Sequence, residues 1–170
     1  MKKLYYIRHG LSEMNKQGIF AGRTETPLAK EGRAQAKVAG KQAKRLKIDY
    51  IVCSPQGRAV ETAKIIAKEI GYPQDKVHTN SLFMERHFGK AEGQIYSPDL
   101  DIDGFADVET VDTLLERASQ ALRFLESLSE NNILVVSHGS FGRALRHHII
   151  EDFPFDNVSK IANAEIIQWL

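Results

Sequence analysis

The chain has 170 residues, 42% hydrophobic and 26% charged, which suits one compact domain over residues 1–170 with a real core. Its 23 Lys and Arg against 22 Asp and Glu leave a formal net charge of +1, so no overall basic field gathers nucleic acid or an anionic membrane, and any anion site must be local. A lone Cys53 excludes an intrachain disulfide and fits a reducing compartment. The four-residue apolar run after Met1-Lys2-Lys3 is too short for a signal core or a membrane span, so a cytoplasmic protein is expected.

Leu4-Tyr5-Tyr6-Ile7 reads as a buried strand that stops abruptly at Arg8-His9-Gly10. Residues 30–46 carry Ala34, Val38 and Ala39 at near-helical spacing among Lys and Arg, which predicts an amphipathic surface helix whose basic stretch is a solvated face. A second strand over 49–53 closes at Ser54-Pro55. A helix over 57–70 follows, with Ala59, Ala63, Ile66 and Ile70 on one face and Gly71 and Pro73 at its end. Residues 80–112, with Gly89, Gly93, Pro98 and Gly104, read mostly as loop. A helix over 111–128 (Leu114, Leu115, Ala118, Leu122, Leu125) and a fully buried strand over 133–136 come next. That strand ends in Ser137-His138-Gly139; a short helix over 140–150 and a last strand within 164–170 complete the chain.

Strands alternating with helices imply a three-layer sandwich, a mostly parallel sheet with helices on both faces. In such sheets ligands collect beyond the carboxyl ends of the strands, where Arg8-His9-Gly10, Ser54-Pro55 and Ser137-His138-Gly139 all fall. Two imidazoles facing one pocket are thus expected. Arg8 and Arg58 can supply forked donors for phosphate oxygens, and a neutral imidazole can attack phosphorus once such cations offset the phosphoryl charge.

These residues make the sequence similar to a known family. Residues 4–12 with Asn15 resemble the opening signature of the histidine phosphatase superfamily, which includes the cofactor-dependent phosphoglycerate mutases. Further segments are similar in order: residues 22–32 with Gln35-Ala36; Ser54-Pro55 through Arg58-Ala59 and Thr62-Ala63; Leu82 through Glu85 with Gly89 and Glu92-Gly93; and residues 135–139. The resemblance implies a phosphoglycerate mutase-like fold, with His9 as the phosphorylated nucleophile and Glu85 as the acid that protonates the leaving oxygen. Arg8, Arg58 and His138 would hold the phosphoryl group, with Asn15 and Gly139 touching it. It implies no metal and no cofactor, because the arginines take the electrostatic role that magnesium fills elsewhere. The expected partner is a small phosphorylated metabolite or a phosphoprotein, not nucleic acid or membrane.

The departures favour a phosphatase over a mutase. Phe88 stands where mutases carry tyrosine, their paired arginines and long insertion are missing, and the chain stops at its last strand without a lysine-rich tail. Ala29 replaces the usual helix-capping Thr or Ser, and Glu25 a commoner aspartate. The rivals are a phosphoglycerate mutase, a metal-dependent hydrolase and a non-catalytic phosphate-binding module, which would normally have lost His9 or Glu85.

Bland readings account for the remaining features. His147 and His148 are partly solvated helix residues, His78 has no evident role, and His87 is close enough to Glu85 to line the rim. Cys53 is a buried strand residue, since four residues separate it from Arg58 where a cysteine-phosphatase loop has five. Asp99-x-Asp101-x-Asp103-Gly104 begins like a calcium loop, but Thr110 stands where a bidentate glutamate is needed. The run over 99–112 is therefore read as an acidic surface loop that would repel highly anionic substrates if it lies over the pocket.

Overall fold

The computed structural model describes residues 2–97, 99–150, 153–156 and 159–170. Its frame is one five-stranded sheet of order β3-β2-β4-β1-β5, built from β1 (Lys3–Arg8), β2 (Tyr50–Cys53), β3 (His78–Thr79), β4 (Asn132–Ser137) and β5 (Ile166–Gln168). Neighbouring strands run parallel except β5, which is antiparallel to β1. Five α-helices accompany it among the described residues: α1 (Glu13–Lys16), α2 (Lys30–Ala43), α3 (Gly57–Ile70), α4 (Val111–Ser127) and α5 (Gly139–Ile149).

Alternation along the strands divides the core in two, because successive side chains point to opposite faces. Tyr5, Ile7, Ile51, Cys53, Leu134 and Val136 pack with Ala39 and Ala43 of α2 and Ala59, Ala63, Ile66 and Ala67 of α3. Leu4, Tyr6, Val52, Ile133 and Val135 pack on the other side with Leu114, Ala118, Ala121 and Leu125 of α4 and Phe141, Ala144 and Leu145 of α5. This is the three-layer α/β sandwich that the sequence predicts.

Helix α2 departs from expectation in its buried face. Gly32, Ala36, Ala39, Gly40 and Ala43 point inward, while Ala34 is exposed and Val38 keeps 55% of its surface in water. The reason is close packing: a Cβ on Gly40 would lie 2.6 Å from Cβ of Glu69 on α3, so the contact takes only small residues. The helix also ends earlier, at Ala43, and a single 3-10 turn over Lys44–Leu46 completes it. Ala29 at its N-cap makes no side-chain cap bond. The short elements α1 and β3 lack the length that makes periodicity readable. Among the described residues, those from 80 to 110 are loop with one-turn 3-10 helices at Ser81–Phe83, Gly89–Ala91 and Ile102–Gly104, and α4 begins at Val111.

Candidate active site

Strands β2, β4 and β1 are adjacent in the sheet, so their carboxyl ends meet at one edge. His9 N–H donates to Ser137 O (2.9 Å) and Ser54 N–H to Val136 O (3.0 Å), carrying the ladder one step past each strand. Beyond it the His9 and His138 rings face edge to face-normal, 5.1 Å apart at 63°. Both histidines are buried.

His9 is fixed in one tautomer. Its Nδ1 lies 2.7 Å from Gly10 O, and a carbonyl only accepts, so Nδ1 carries the hydrogen and Nε2 presents its lone pair. Arg58 Nε donates to that lone pair at 3.1 Å. Burial, reinforced by the positive charges of Arg58 and Arg8, holds the His9 pKa well below the ordinary histidine value, so the ring is a neutral base. Three contacts keep the backbone still. Gly10 N–H donates to Thr62 Oγ1 (3.1 Å), Asn163 Nδ2 to His9 O (2.9 Å), and Leu11 N–H to Gln35 Oε1 (2.9 Å). Gly10 itself crosses Gly32 so closely that a Cβ would overlap the Gly32 carbonyl.

Arg58 is locked by its other nitrogens, Nη1 to Thr24 O (3.1 Å) and Nη2 to Gly22 O (2.6 Å). Arg8 Nη1 donates to Ile161 O (3.1 Å), but its buried Nε has no hydrogen-bond partner in the protein. Neither ring nitrogen of the buried His138 has one, nor do Asn15 Oδ1 and Arg143 Nε. Burial, with His9, Arg58 and Arg8 adding to it, holds His138 well below the ordinary histidine pKa as well. Its carbonyl accepts from Tyr6 Oη (2.6 Å), and the same hydroxyl accepts from His138 N–H (3.1 Å). A Cβ on Gly139 would come within 3.6 Å of Arg8 Nε and 3.9 Å of Arg143 Nη1, so glycine keeps the space between two guanidinium groups open. Orphaned polar atoms this deep are costly unless something polar meets them, and the donors among them, Arg8 Nε, Arg143 Nε and the protonated nitrogen of His138, suit the oxygens of a phosphoryl group.

Glu85, 8% exposed, reaches the first turn of α5. Its Oε1 accepts from Arg86 N–H (2.8 Å) and Phe141 N–H (2.9 Å), and its Oε2 from Ser140 N–H (3.2 Å), as a helix N-terminus receives a carboxylate. Two side chains that the sequence did not single out, Gln56 and Arg117, hold it there. Buried Gln56 accepts from Glu85 N–H (2.8 Å) and donates to Gly22 O (2.9 Å), tying the acid to the loop that locks Arg58. Arg117 of α4 donates to Leu82 O (2.8 Å), Met84 O (2.7 Å) and Glu85 O (3.4 Å), and pairs with Glu109 at 2.9 Å. Burial pushes the Glu109 pKa up, but the Arg117 donors outweigh it and hold that carboxyl below the usual range. Glu92 accepts from Arg23 N–H, Thr24 N–H and Phe88 N–H, which closes the loop over 22–24.

Arg8, His9, Asn15, Arg58, Glu85 and Gly139 all line one cavity of about 390 Å³; the fully buried His138 is not in that lining, and its ring packs 5.1 Å from that of His9. The acidic loop also reaches it, but through Ile102. Its carboxylates are engaged elsewhere: Asp101 accepts from Gly104 N–H (3.2 Å), Asp103 pairs with Arg86, and Asp107 accepts from Lys90 N–H (3.2 Å). Of the acidic loop only Ile102 lines the cavity, and Arg143 and Lys160 add cations to the lining that the sequence reading did not foresee. Among the described residues no group of three His, Cys, Asp or Glu is arranged to hold a metal. No described helix is long and apolar enough to cross a membrane. Cys53 is buried, and burial pushes its thiol up to about 12. His78 stacks on Tyr50, His147 meets Phe153 O, and His148 meets Leu115 O across the α4–α5 contact.

Known proteins share this sequence pattern and this fold. The family pattern for "Histidine phosphatase superfamily (branch 1)" matches residues 4–168. An acid phosphatase of Mycobacterium tuberculosis is 32% identical over 154 residues, 84% of this chain and 73% of that protein. A 2,3-bisphosphoglycerate-dependent phosphoglycerate mutase of Haemophilus influenzae is 31% identical over 198 aligned positions, 87% of this chain and 85% of its own. The solved structure of open reading frame Rv3214 from Mycobacterium tuberculosis superimposes with a TM-score of 0.81 at 29% identity, over 97% of this chain and 89% of that one. A match running from the first strand to the last, on a fold that gathers two histidines and two arginines at one sheet edge, makes this chain a member of the histidine phosphatase superfamily, branch 1, a family of phosphatases and phosphoglycerate mutases.

Proposed function

We propose that the chain is a phosphomonoesterase that works through a phosphohistidine on His9 without a metal ion. The observation that carries this reading is the fixed tautomer of His9, whose Nε2 lone pair opens toward Arg58 while donors of Arg8 and His138 stand unpartnered beside it. The phosphoryl oxygens meet Arg8, Arg58, His138 and Asn15. Arg58 Nε, which meets Nε2 at rest, passes to a phosphoryl oxygen as the lone pair engages phosphorus. The Nε2–P bond forms, the bond from phosphorus to the ester oxygen breaks, and Glu85 as a carboxylic acid gives that oxygen its proton. Water then attacks the phosphohistidine, Glu85 takes its proton, and inorganic phosphate leaves with His9 restored. The cations stabilise charge on the equatorial oxygens throughout.

Water is favoured as the acceptor over a returning substrate. Arg86, the arginine that directly follows Glu85, is buried and committed to Asp103 and to Glu109 O (2.8 Å), so it does not grip a second phosphate. The test is rapid quenching after addition of a phosphomonoester: an acid-labile, base-stable label should form on the parent enzyme and be missing from His9→Ala, whose fold persists. In parallel, enzyme primed with 2,3-bisphosphoglycerate and given excess 3-phosphoglycerate is followed by phosphorus NMR. Phosphate release with little 2-phosphoglycerate is expected; interconversion faster by orders of magnitude would make it a mutase.

A further inference from the structure

The cavity over His9 has two unlike ends. One holds Arg8, Arg58, Arg143 and His9; the other is a wall of Ile19, Phe20, Phe88, Tyr96 and Ile102. That wall is built rather than incidental. Gly93 N–H donates to Phe20 O (2.8 Å), Phe20 N–H to Gln94 O (2.9 Å) and Tyr96 N–H to Gly18 O (2.7 Å), with Ile19 and Ile95 bridged between them. These bonds pin residues 18–20 against 93–96 as a short antiparallel ribbon. Phe20 stands at its centre, 5.5 Å from the Phe88 ring and 5.2 Å from that of Tyr96. Phe88 is buried beneath, while Tyr96 keeps 52% of its surface in water at the mouth.

Resting on the phosphatase reading, we infer that the preferred substrate is a phosphomonoester whose alcohol carries an apolar ring a few bonds from the ester oxygen, with no second charged group. With phosphorus at His9 the alcohol must extend over this wall, where a flat ring covers Tyr96 and Phe20 and gains both area burial and ring-on-ring contact. A hydroxylated or charged alcohol would lose water there and find only the Tyr96 hydroxyl as a polar partner among those five side chains. The acidic loop contributes Ile102 to the wall and turns Asp101, Asp103 and Asp107 to other partners. Of the two further cations in the lining, Arg143 belongs to the phosphate end. Its Nη2 donates to Ser140 Oγ (2.8 Å) and its Nη1 to Ser159 O (3.2 Å), and it flanks Gly139 opposite Arg8. Lys160 is the one cation that could instead welcome an acid, and the assay includes that case.

Three alkyl phosphates of similar intrinsic reactivity separate fit from leaving-group chemistry: 2-phenylethyl phosphate, 2-hydroxyethyl phosphate and phosphoglycolate. The purified enzyme should turn over the phenylethyl ester with kcat/KM at least about tenfold above either of the others, the scale expected for burying part of a ring. In Tyr96→Ser and in Ile102→Ser the ratio of phenylethyl to hydroxyethyl kcat/KM should fall about three- to tenfold at an unchanged Tm. Equal turnover of the three by the parent, a preference for phosphoglycolate, or variants that keep the parent ratio each overturn the inference and leave the phosphatase reading standing. No phosphate released from any of them, with no label on His9, removes both.

Discussion

Replacing Glu85 with Gln separates the acid from its scaffold, because the shape stays and the transferable proton goes. The fold should survive with a measurable loss. Glu85 Oε1 holds two N–H groups at 2.8 and 2.9 Å, and an amide oxygen in that place keeps both. The amide nitrogen then faces Ser140 N–H, which met Oε2 at 3.2 Å, so one donor at the start of α5 loses its acceptor and the helix N-terminus loses a negative charge. Together these cost about 1–3 kcal/mol, read as a lower Tm. Catalysis should respond according to the leaving group. Loss of a general acid lowers the rate by roughly 10²–10⁴ where an alkoxide must be expelled, so kcat/KM for an alkyl phosphate should fall on the order of 10³. A nitrophenyl phosphate, whose oxygen leaves as a stable anion, should lose less than about tenfold. The parameter matters: kcat/KM reports phosphoryl transfer to His9, whereas kcat also contains the later step in which the same carboxylate takes a proton from water. Equal losses of kcat/KM on both substrates, at matched folded fraction, would refute the acid role.

Arg117→Met keeps the apolar stem but removes the donors to Leu82, Met84 and Glu85 carbonyls and leaves Glu109 short of its principal partner; a stability loss of about 3 kcal/mol in denaturant titration is expected, with kcat falling as Glu85 loosens. An Arg117→Met enzyme with parental kcat and Tm would show that the clamp is idle. The pKa values of His9 and His138 are both depressed in the fold, so below the ordinary histidine value the unfolded chain takes up protons that the folded chain refuses. Stability contributed by the neutral rings is therefore present above that value and is lost as pH falls through it, by up to about 1.4 kcal/mol per pH unit for each ring. Denaturant titrations from pH 7.5 to 5 should show this slope halved in His138→Gln, and an unchanged slope would refute it.

The parts of the site that were legible in the sequence are those where local pattern and chemistry coincide. Leu4 to Ile7 and Ile133 to Val136 are buried apolar runs that each stop at a histidine and a glycine, and the parallel sheet then makes their ends neighbours, as the pairing of Arg8 with Ser137 shows. Arg58 is readable because it opens a helix right after a strand. Helix α2 misled because its apolar content is mostly alanine and glycine; Val38 drew the stripe to the wrong side, and only the approach to Glu69 on α3 explains why the small residues face inward.

The residues that position the acid and the nucleophile were hidden for a different reason. Gln56, Thr62, Gln35, Glu92 and Arg117 act by bonding backbone groups far away in sequence, and nothing about their own neighbourhood advertises that task. Gln56 joins Glu85 N–H to Gly22 O across gaps of 29 and 34 residues, and Arg117 reaches carbonyls 32 to 35 residues back. The family resemblance marked the positions of Gln35, Thr62 and Glu92 without saying what they do. A faint signal did exist, since Thr62 lies one turn beyond Arg58 on the same helix face, and its hydroxyl donates to Arg58 O (2.7 Å) while accepting from Gly10 N–H. One hydroxyl thus couples the helix that carries the phosphate-binding arginine to the turn that carries the nucleophile. Gln56, Thr62 and Arg117 are bonded to backbone groups, while the buried Arg8, His138 and Asn15 keep polar atoms unpartnered, and that contrast points to the reactive end of the cavity.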